Sequence, residues 1–299
     1  MDEDFDVEEW RKENPMDYIK AMNLILGYSD PMQRTIAFNT IYKITRLHIP
    51  DTLYKFFSLN GDKEINKLKL ENIERKQIYM ADIGTLNDPF DNKAFYYNPE
   101  RLSEIKRLAP HNGRLIDDFS AYVKISALTV HDYTSMPMWA HYANNHKGFC
   151  IAYDMKSKNN VQLSGCTFPI QYTDKRLDMT NFMEAQAQYM DSEINKQMAQ
   201  GKKEILLEDL SIVFMATLFC NIKHKTWAYE KEFRCTTGAI AKGMPYVSAT
   251  PKEIYIGLNC SDEHTSAIVE IAKTINVPAY RTVFNEQSPE FSLSLKQLQ

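Results

Sequence analysis

Apolar runs of strand type and stretches of helical spacing follow one another in this chain in an irregular order. That order most restricts what the chain can fold into. Leu53–Phe57, Gln77–Ala81, Val123–Thr129, Gly148–Asp154, Thr167–Tyr172, Glu232–Thr236, Lys252–Gly257 and Ala279–Phe284 read as strands, with a further short one expected in Lys93–Tyr97. Helical spacing marks Val7–Leu47, Lys63–Arg75, Pro99–Leu108, Gly113–Tyr122, Ser135–Asn145, Asp178–Lys225 and Asp262–Thr274. A doubly wound fold would alternate strand and helix regularly. Helices first, then mixed strands, an inserted helical pair and more strands instead predict an α+β fold with mixed, mostly antiparallel sheets. We divide the chain into an N-terminal helical extension, 1–50, and an α+β domain expected to be catalytic, 51–299, with the helical insertion at about 178–225.

Charge and cysteine usage exclude several function classes. A net charge of −4 leaves no basic excess for sequence-independent duplex binding, although a local patch can still hold one nucleotide. Five cysteines without a CxxC pair give neither a disulfide framework nor a zinc site. The acidic start MDEDFDVEEW lacks the basic region and apolar run of a secretory signal, and no run of about eighteen apolar residues occurs. The expectation is a cytoplasmic protein with no membrane partner. GxGxxG and GxxxxGK[ST] are both absent, so the common glycine-rich phosphate loops are not used.

Three segments carry candidate chemistry. In Leu86-Asn-Asp-Pro-Phe-Asp91, a proline turn holds Asn87, Asp88 and Asp91 after a strand. The alternative is a rigid turn in which Asn87 and Asp88 cap backbone amides. In Met138–Gly148, Trp139 and Tyr142 share a helix face beside His141, with Lys147 at the exit. Aromatic, imidazole and ammonium groups so grouped suit a stacked base and a phosphate. His141 and His146 are five apart, not the four of a zinc-binding helix, so no metal site is expected. In Trp227–Arg234, an extended backbone puts Glu230, Glu232 and Arg234 on one face. Each segment also has a plain structural reading, as turn, core helix and solvated edge strand.

Together these motifs (NDPFD, MWAHYxxxHKG and WxYEKEFR) resemble those of a bacterial family of unknown function. The layout also resembles, more weakly, the ADP-ribosyltransferase fold. There, a basic residue on a first strand precedes a serine on a second, then a short helix, an apolar strand and a late glutamate strand. The resemblance implies NAD as substrate and catalytic roles for Glu232 and Glu230. It implies a dinucleotide-binding set of Tyr54, Lys55, Asn87, Asp88, Asp91, Ser126, Trp139, His141, Tyr142, Lys147 and Arg234. The sequence departs from that pattern at two points. Lys55 replaces arginine or histidine, and Ser126 lacks a second hydroxyl two residues on. The implied activity is ADP-ribosyl transfer to an unassigned acceptor, or NAD hydrolysis. The context would be a toxin or phage-defence effector, with an antitoxin or regulator as partner. The alternatives are a metal-dependent hydrolase or nuclease, and a non-catalytic nucleotide-binding module.

Overall fold

A computed structural model describes residues 13, 18–46, 49–91, 93–106, 108–113, 123–206, 217–238 and 245–299. The first helices are α1 (Tyr18–Ile25) and α2 (Pro31–Arg46). Strand β1 (Thr52–Phe57), helix α3 (Lys63–Glu74) and strands β2 (Gln77–Tyr79), β3 (Ala81–Asp82) and β4 (Phe95–Tyr96) follow. Then come α4 (Pro99–Ser103), β5 (Val123–Thr129), α5 (Met136–Tyr142), β6 (Phe149–Asp154) and α6 (Val161–Gly165). Next are β7 (Thr167–Pro169), β8 (Gln171–Thr173), β9 (Leu177–Asp178), α7 (Thr180–Ala199) and β10 (Ile222–His224). The remainder is β11 (Glu232–Gly238), β12 (Tyr246–Ser248), β13 (Pro251–Ile256), α8 (Asp262–Ile275), β14 (Ala279–Phe284) and β15 (Leu293–Gln297).

The fold is α+β, and its main sheet is mostly antiparallel, as the element order predicts. That sheet runs β15-β14-β13-β6-β1-β5-β11-β7, with β3 also on β5, and only β13–β14 is parallel among its pairs. Strand β6 lies centrally because Phe149-Cys-Ile-Ala-Tyr153 is apolar on both faces and buried throughout. One core cluster lies under α3 and α8, against Leu53, Ile151, Ile254 and Phe233. A second joins the N-terminal helices to the insertion, packing Met22, Ile25, Phe38 and Ile41 with Phe182 and Phe219. The N-terminal helices therefore share a core with the inserted helix.

The sheet is nearly interrupted between β1 and β5. β1 follows β6 over six register positions, Thr52↔Asp154 to Phe57↔Phe149. β5 follows β11 over seven, Val123↔Gly238 to Thr129↔Glu232. Across the middle only Tyr54↔Thr129 pairs, and the far end of β5 is taken by β3 through Ile125 and Lys124. The two halves splay from one bridge and leave a cleft.

Several expectations change. The late strand begins at Glu232, because Lys231 takes a left-handed conformation (φ 45°) that ends the 3-10 turn Lys225–Glu230. Glu230 is therefore not part of it. The insertion is not helical to Lys225: β10 occupies Ile222–His224 and pairs in parallel with β8. Strand β15 shows little in the sequence, since Leu293-Ser-Leu-Lys-Gln297 is half polar at the sheet edge. The helix expected over 113–122 lies, from residue 114, outside the described residues.

The return from α5 to β6 is tightly made. Asn144, Asn145 and His146 all have positive φ, 49°, 55° and 65°. Gly148 then passes so close to β1 that a Cβ there would lie 1.9 Å from the Phe57 carbonyl oxygen. This turn sets where Tyr142 stands over the cleft. Gly148→Ala should destabilise the protein by about 1–3 kcal/mol, as overpacking against fixed backbone does. Urea unfolding measures this, and an unchanged midpoint would contradict the close approach.

Candidate functional site

A cavity of about 380 Å³ opens where β1 and β5 part. Tyr54 and Lys55 come from β1, Ser126 from β5, and Tyr142 from α5. Glu230, Glu232 and Arg234 approach from the β11 side, with Asn87 and Asp91 from the proline turn. Ile78, Ile125, Leu128 and Ile151 supply apolar wall. Residues scattered from position 54 to 234 thus meet at one place.

The polar end is a chain of buried ion pairs. Arg234 has no exposed surface. Its Nε donates to Glu232 Oε1 at 2.6 Å, its Nη2 to Asp91 Oδ1 at 2.8 Å, and its Nη1 to the Cys220 carbonyl at 2.6 Å. Lys223 Nζ donates to Glu232 Oε2 at 3.0 Å and to Glu230 Oε2 at 2.7 Å. Tyr142 donates its hydroxyl to Glu230 Oε1. The backbone is fixed as well: Thr129 Oγ1 donates to the Glu230 carbonyl, and the Glu232 amide donates to Tyr172 Oη. The two glutamates therefore face one lysine although a left-handed residue separates them.

The ionisation follows from this geometry. Burial pushes the Glu232 carboxyl up, but Arg234 and Lys223 outweigh it, so its pKa falls below the ordinary glutamate value. Burial disfavours the Lys223 ammonium, yet Glu232 and Glu230 hold its pKa above that of a free lysine. Asp91 is raised by burial despite Arg234. The Tyr142 hydroxyl is raised by burial and by donating to Glu230, so it stays a proton donor. Lys55 is half-buried, and its Nζ donates to the Ala127 carbonyl at 3.0 Å across the split. Burial lowers its pKa to about 8, against the raising effect of Glu232.

Two buried oxygens on the cavity lining, Ser126 Oγ and Asp91 Oδ2, have no hydrogen-bond partner. Buried polar atoms normally have one. An oxygen left open beside a cavity fits a place where a ligand completes the bond.

The remaining candidates fall elsewhere. Trp139 is wholly buried, donates to the Tyr133 carbonyl at 2.7 Å, packs edge-on against Phe56 and stacks on His146. It is a core residue that carries α5. His141 is exposed near Tyr229, and Lys147 is exposed at the turn. Asp88 is buried but caps the Phe90 amide at 2.9 Å. None of these four lines the cavity. The proline turn is tied by Asp91 to β11 rather than to α5. Arg234 spends its donors within the protein, which makes it a positioning residue for Glu232 rather than a phosphate ligand. Lys223 escaped the sequence reading because Ile222-Lys-His lies inside a stretch taken as helix. Its one clue was a lysine directly after the mostly apolar run Leu218-Phe-Cys-Asn-Ile222, seven residues before Glu230.

Breaking the ionic chain at one member should be severe. Arg234→Leu leaves Glu232 and Asp91 buried without their shared cation, and should cost about 3–5 kcal/mol of stability. Replacing Asp91, Glu232 and Arg234 together by leucine should restore most of it. Chemical denaturation of the single and triple variants checks this, and a triple variant no more stable than the single one would contradict it.

Among known proteins, residues 138–235 match the model of a family described as a protein of unknown function (DUF2971). The matched span runs from α5 through β11 and contains Tyr142, Lys223, Glu230, Glu232 and Arg234. No curated protein and no solved structure gives a match.

Proposed function

We propose that this cavity cleaves the nicotinamide–ribose bond of NAD and passes the ADP-ribosyl group to an acceptor or to water. The observation that carries this reading is one carboxylate, Glu232, kept ionised at a largely apolar cavity beside Ser126, Tyr142 and Lys55. The order of elements supports it too: Lys55 on β1, Ser126 on the adjoining β5, then α5, then β6, with Glu232 opening β11 beside β5. That order is in keeping with the resemblance of the sequence to ADP-ribosyltransferases.

Loss of nicotinamide leaves positive charge spread over the ribose C1 and ring oxygen, as in glycoside hydrolysis. A carboxylate already stripped of water and fixed in place stabilises that charge without reorganising. In this reading Glu232 is that group, and Arg234 and Lys223 keep it ionised and aimed. The open hydroxyl of Ser126 meets the sugar or the nicotinamide amide. The Tyr142 ring forms a wall for nicotinamide, and Lys55 faces the pyrophosphate. The bonding pair of the broken bond leaves with nicotinamide. The acceptor oxygen then bonds C1 and gives up its proton, for which Glu230 is the base in this reading. For the rival metal-dependent reading, no group of three or more His, Cys, Asp or Glu is placed together to hold an ion among the described residues. Glu230, Glu232 and Asp91 already have Lys223 or Arg234 as counter-ions.

Glu232→Gln should lower nicotinamide release by on the order of 10²–10³ while the protein remains folded. Chromatography of released nicotinamide, with thermal unfolding and a chelator arm, makes the comparison. Turnover equal to wild type would sink the role of Glu232, and loss of all activity to the chelator would favour the metal reading. The pH dependence has a definite sign. Lys55 loses its proton as pH rises through about 8, so kcat/KM should fall above that pH. Lys55→Arg should extend the plateau upward, because guanidinium does not titrate there. An identical alkaline limb in both proteins would remove Lys55 from binding.

A further inference from the structure

A second cavity, of about 460 Å³, lies on the other side of Lys223, which lines both. Its wall carries Phe90, a residue 57% exposed, and the half-buried Trp227, over whose ring Lys223 Nζ sits at 4.7 Å. Asp88 also lines it. That side chain is buried, with Oδ1 holding the Phe90 amide at 2.9 Å and Oδ2 without a hydrogen-bond partner. The rim is cationic. Lys93 and Lys175 are exposed, Arg176 is anchored by the carbonyls of Lys93 and Phe95, and Asp174 is neutralised by Lys225 at 2.6 Å. Apart from Lys223, none of its lining residues lines the first cavity.

An aromatic wall, a buried acceptor and a positive rim ask for a flat ring with donors on one edge and an anionic tail. A protein cation such as arginine would satisfy Asp88 but meet Lys93 and Lys175 as like charges. Phosphate would be drawn to them. Among the common bases, guanine alone sets two adjacent donors, N1–H and the N2 amino group, on one edge. Adenine and cytosine place a ring acceptor beside their amino group, which a carboxylate repels. We infer that the second cavity binds a guanine nucleotide, its base against Phe90 and Trp227, its N1–H and N2 amino donors on Asp88, and its phosphate at Lys93 and Lys175.

Calorimetric titration of the full chain with GMP, IMP, AMP and XMP tests this. GMP should bind at least about tenfold tighter than IMP, which lacks the N2 amino group, and tighter still than AMP. Asp88→Asn keeps the oxygen that caps Phe90 but turns the free position into a donor. It should shift preference to XMP, whose carbonyl replaces that amino group. Phe90→Ala removes an exposed side chain that lines this cavity and not the first, and should weaken GMP about tenfold without affecting folding. A trinucleotide ending in guanosine that outbinds GMP would assign the ligand to a strand, and equal affinities would assign it to free nucleotide. The inference is overturned if GMP binds no tighter than AMP, or if its affinity is indifferent to both Asp88→Asn and Phe90→Ala.

Discussion

The placement of Arg234 is the constraint on which the site depends. A guanidinium with no exposed surface, deep in a core, is tolerable only with carboxylates on it. Asp91 and Glu232 supply them from a proline turn and from the same strand. Glu232 in turn needs Lys223 to complete its neutralisation, and Lys223 brings in Glu230. Five charged side chains from three separate parts of the chain are thereby fixed relative to one another. Apolar residues of similar volume would recover most of the stability. What the ionic chain adds is a carboxylate held charged by Arg234 and Lys223 beside a cavity.

The cavity exists because the sheet nearly fails at its centre. β1 and β5 each have a full antiparallel neighbour on the outer side, β6 and β11, and meet one another at a single bridge. Beyond that bridge the backbones diverge, and the Lys55 ammonium spans the gap to the Ala127 carbonyl. A polar side chain thus takes the place of a ladder hydrogen bond. It leaves room for a ligand that a closed ladder would exclude. Lys223 lines both this cavity and the second one.

Much of the fold was legible in the sequence, because strands such as Gly148–Asp154 and helices such as Asp262–Ile275 carry their own periodicity. The candidate site was legible in its acids, since Glu230, Glu232 and Asp91 sit in unusual local patterns. Its counter-ions were harder to read. Lys223 is an ordinary lysine in sequence, and its meaning arises only when β10 pairs with β8 and delivers it beneath both glutamates. Trp139 shows the converse. A tryptophan beside histidine and tyrosine suggests a stacking platform, but its indole is used to pack α5 on β1. Local composition announces unusual chemistry, whereas burial and pairing are decided by distant parts of the chain.

We propose that the split between β1 and β5 receives the nicotinamide-ribose half of a dinucleotide, with Glu232 at its sugar. A crystal structure with a non-hydrolysable NAD analogue tests it most directly. The account expects the ribose adjoining nicotinamide within hydrogen-bond distance of the Glu232 carboxylate, the Ser126 hydroxyl newly partnered, and the pyrophosphate near Lys55. An analogue bound elsewhere, or bound in the cleft with its ribose turned away from Glu232, would contradict it.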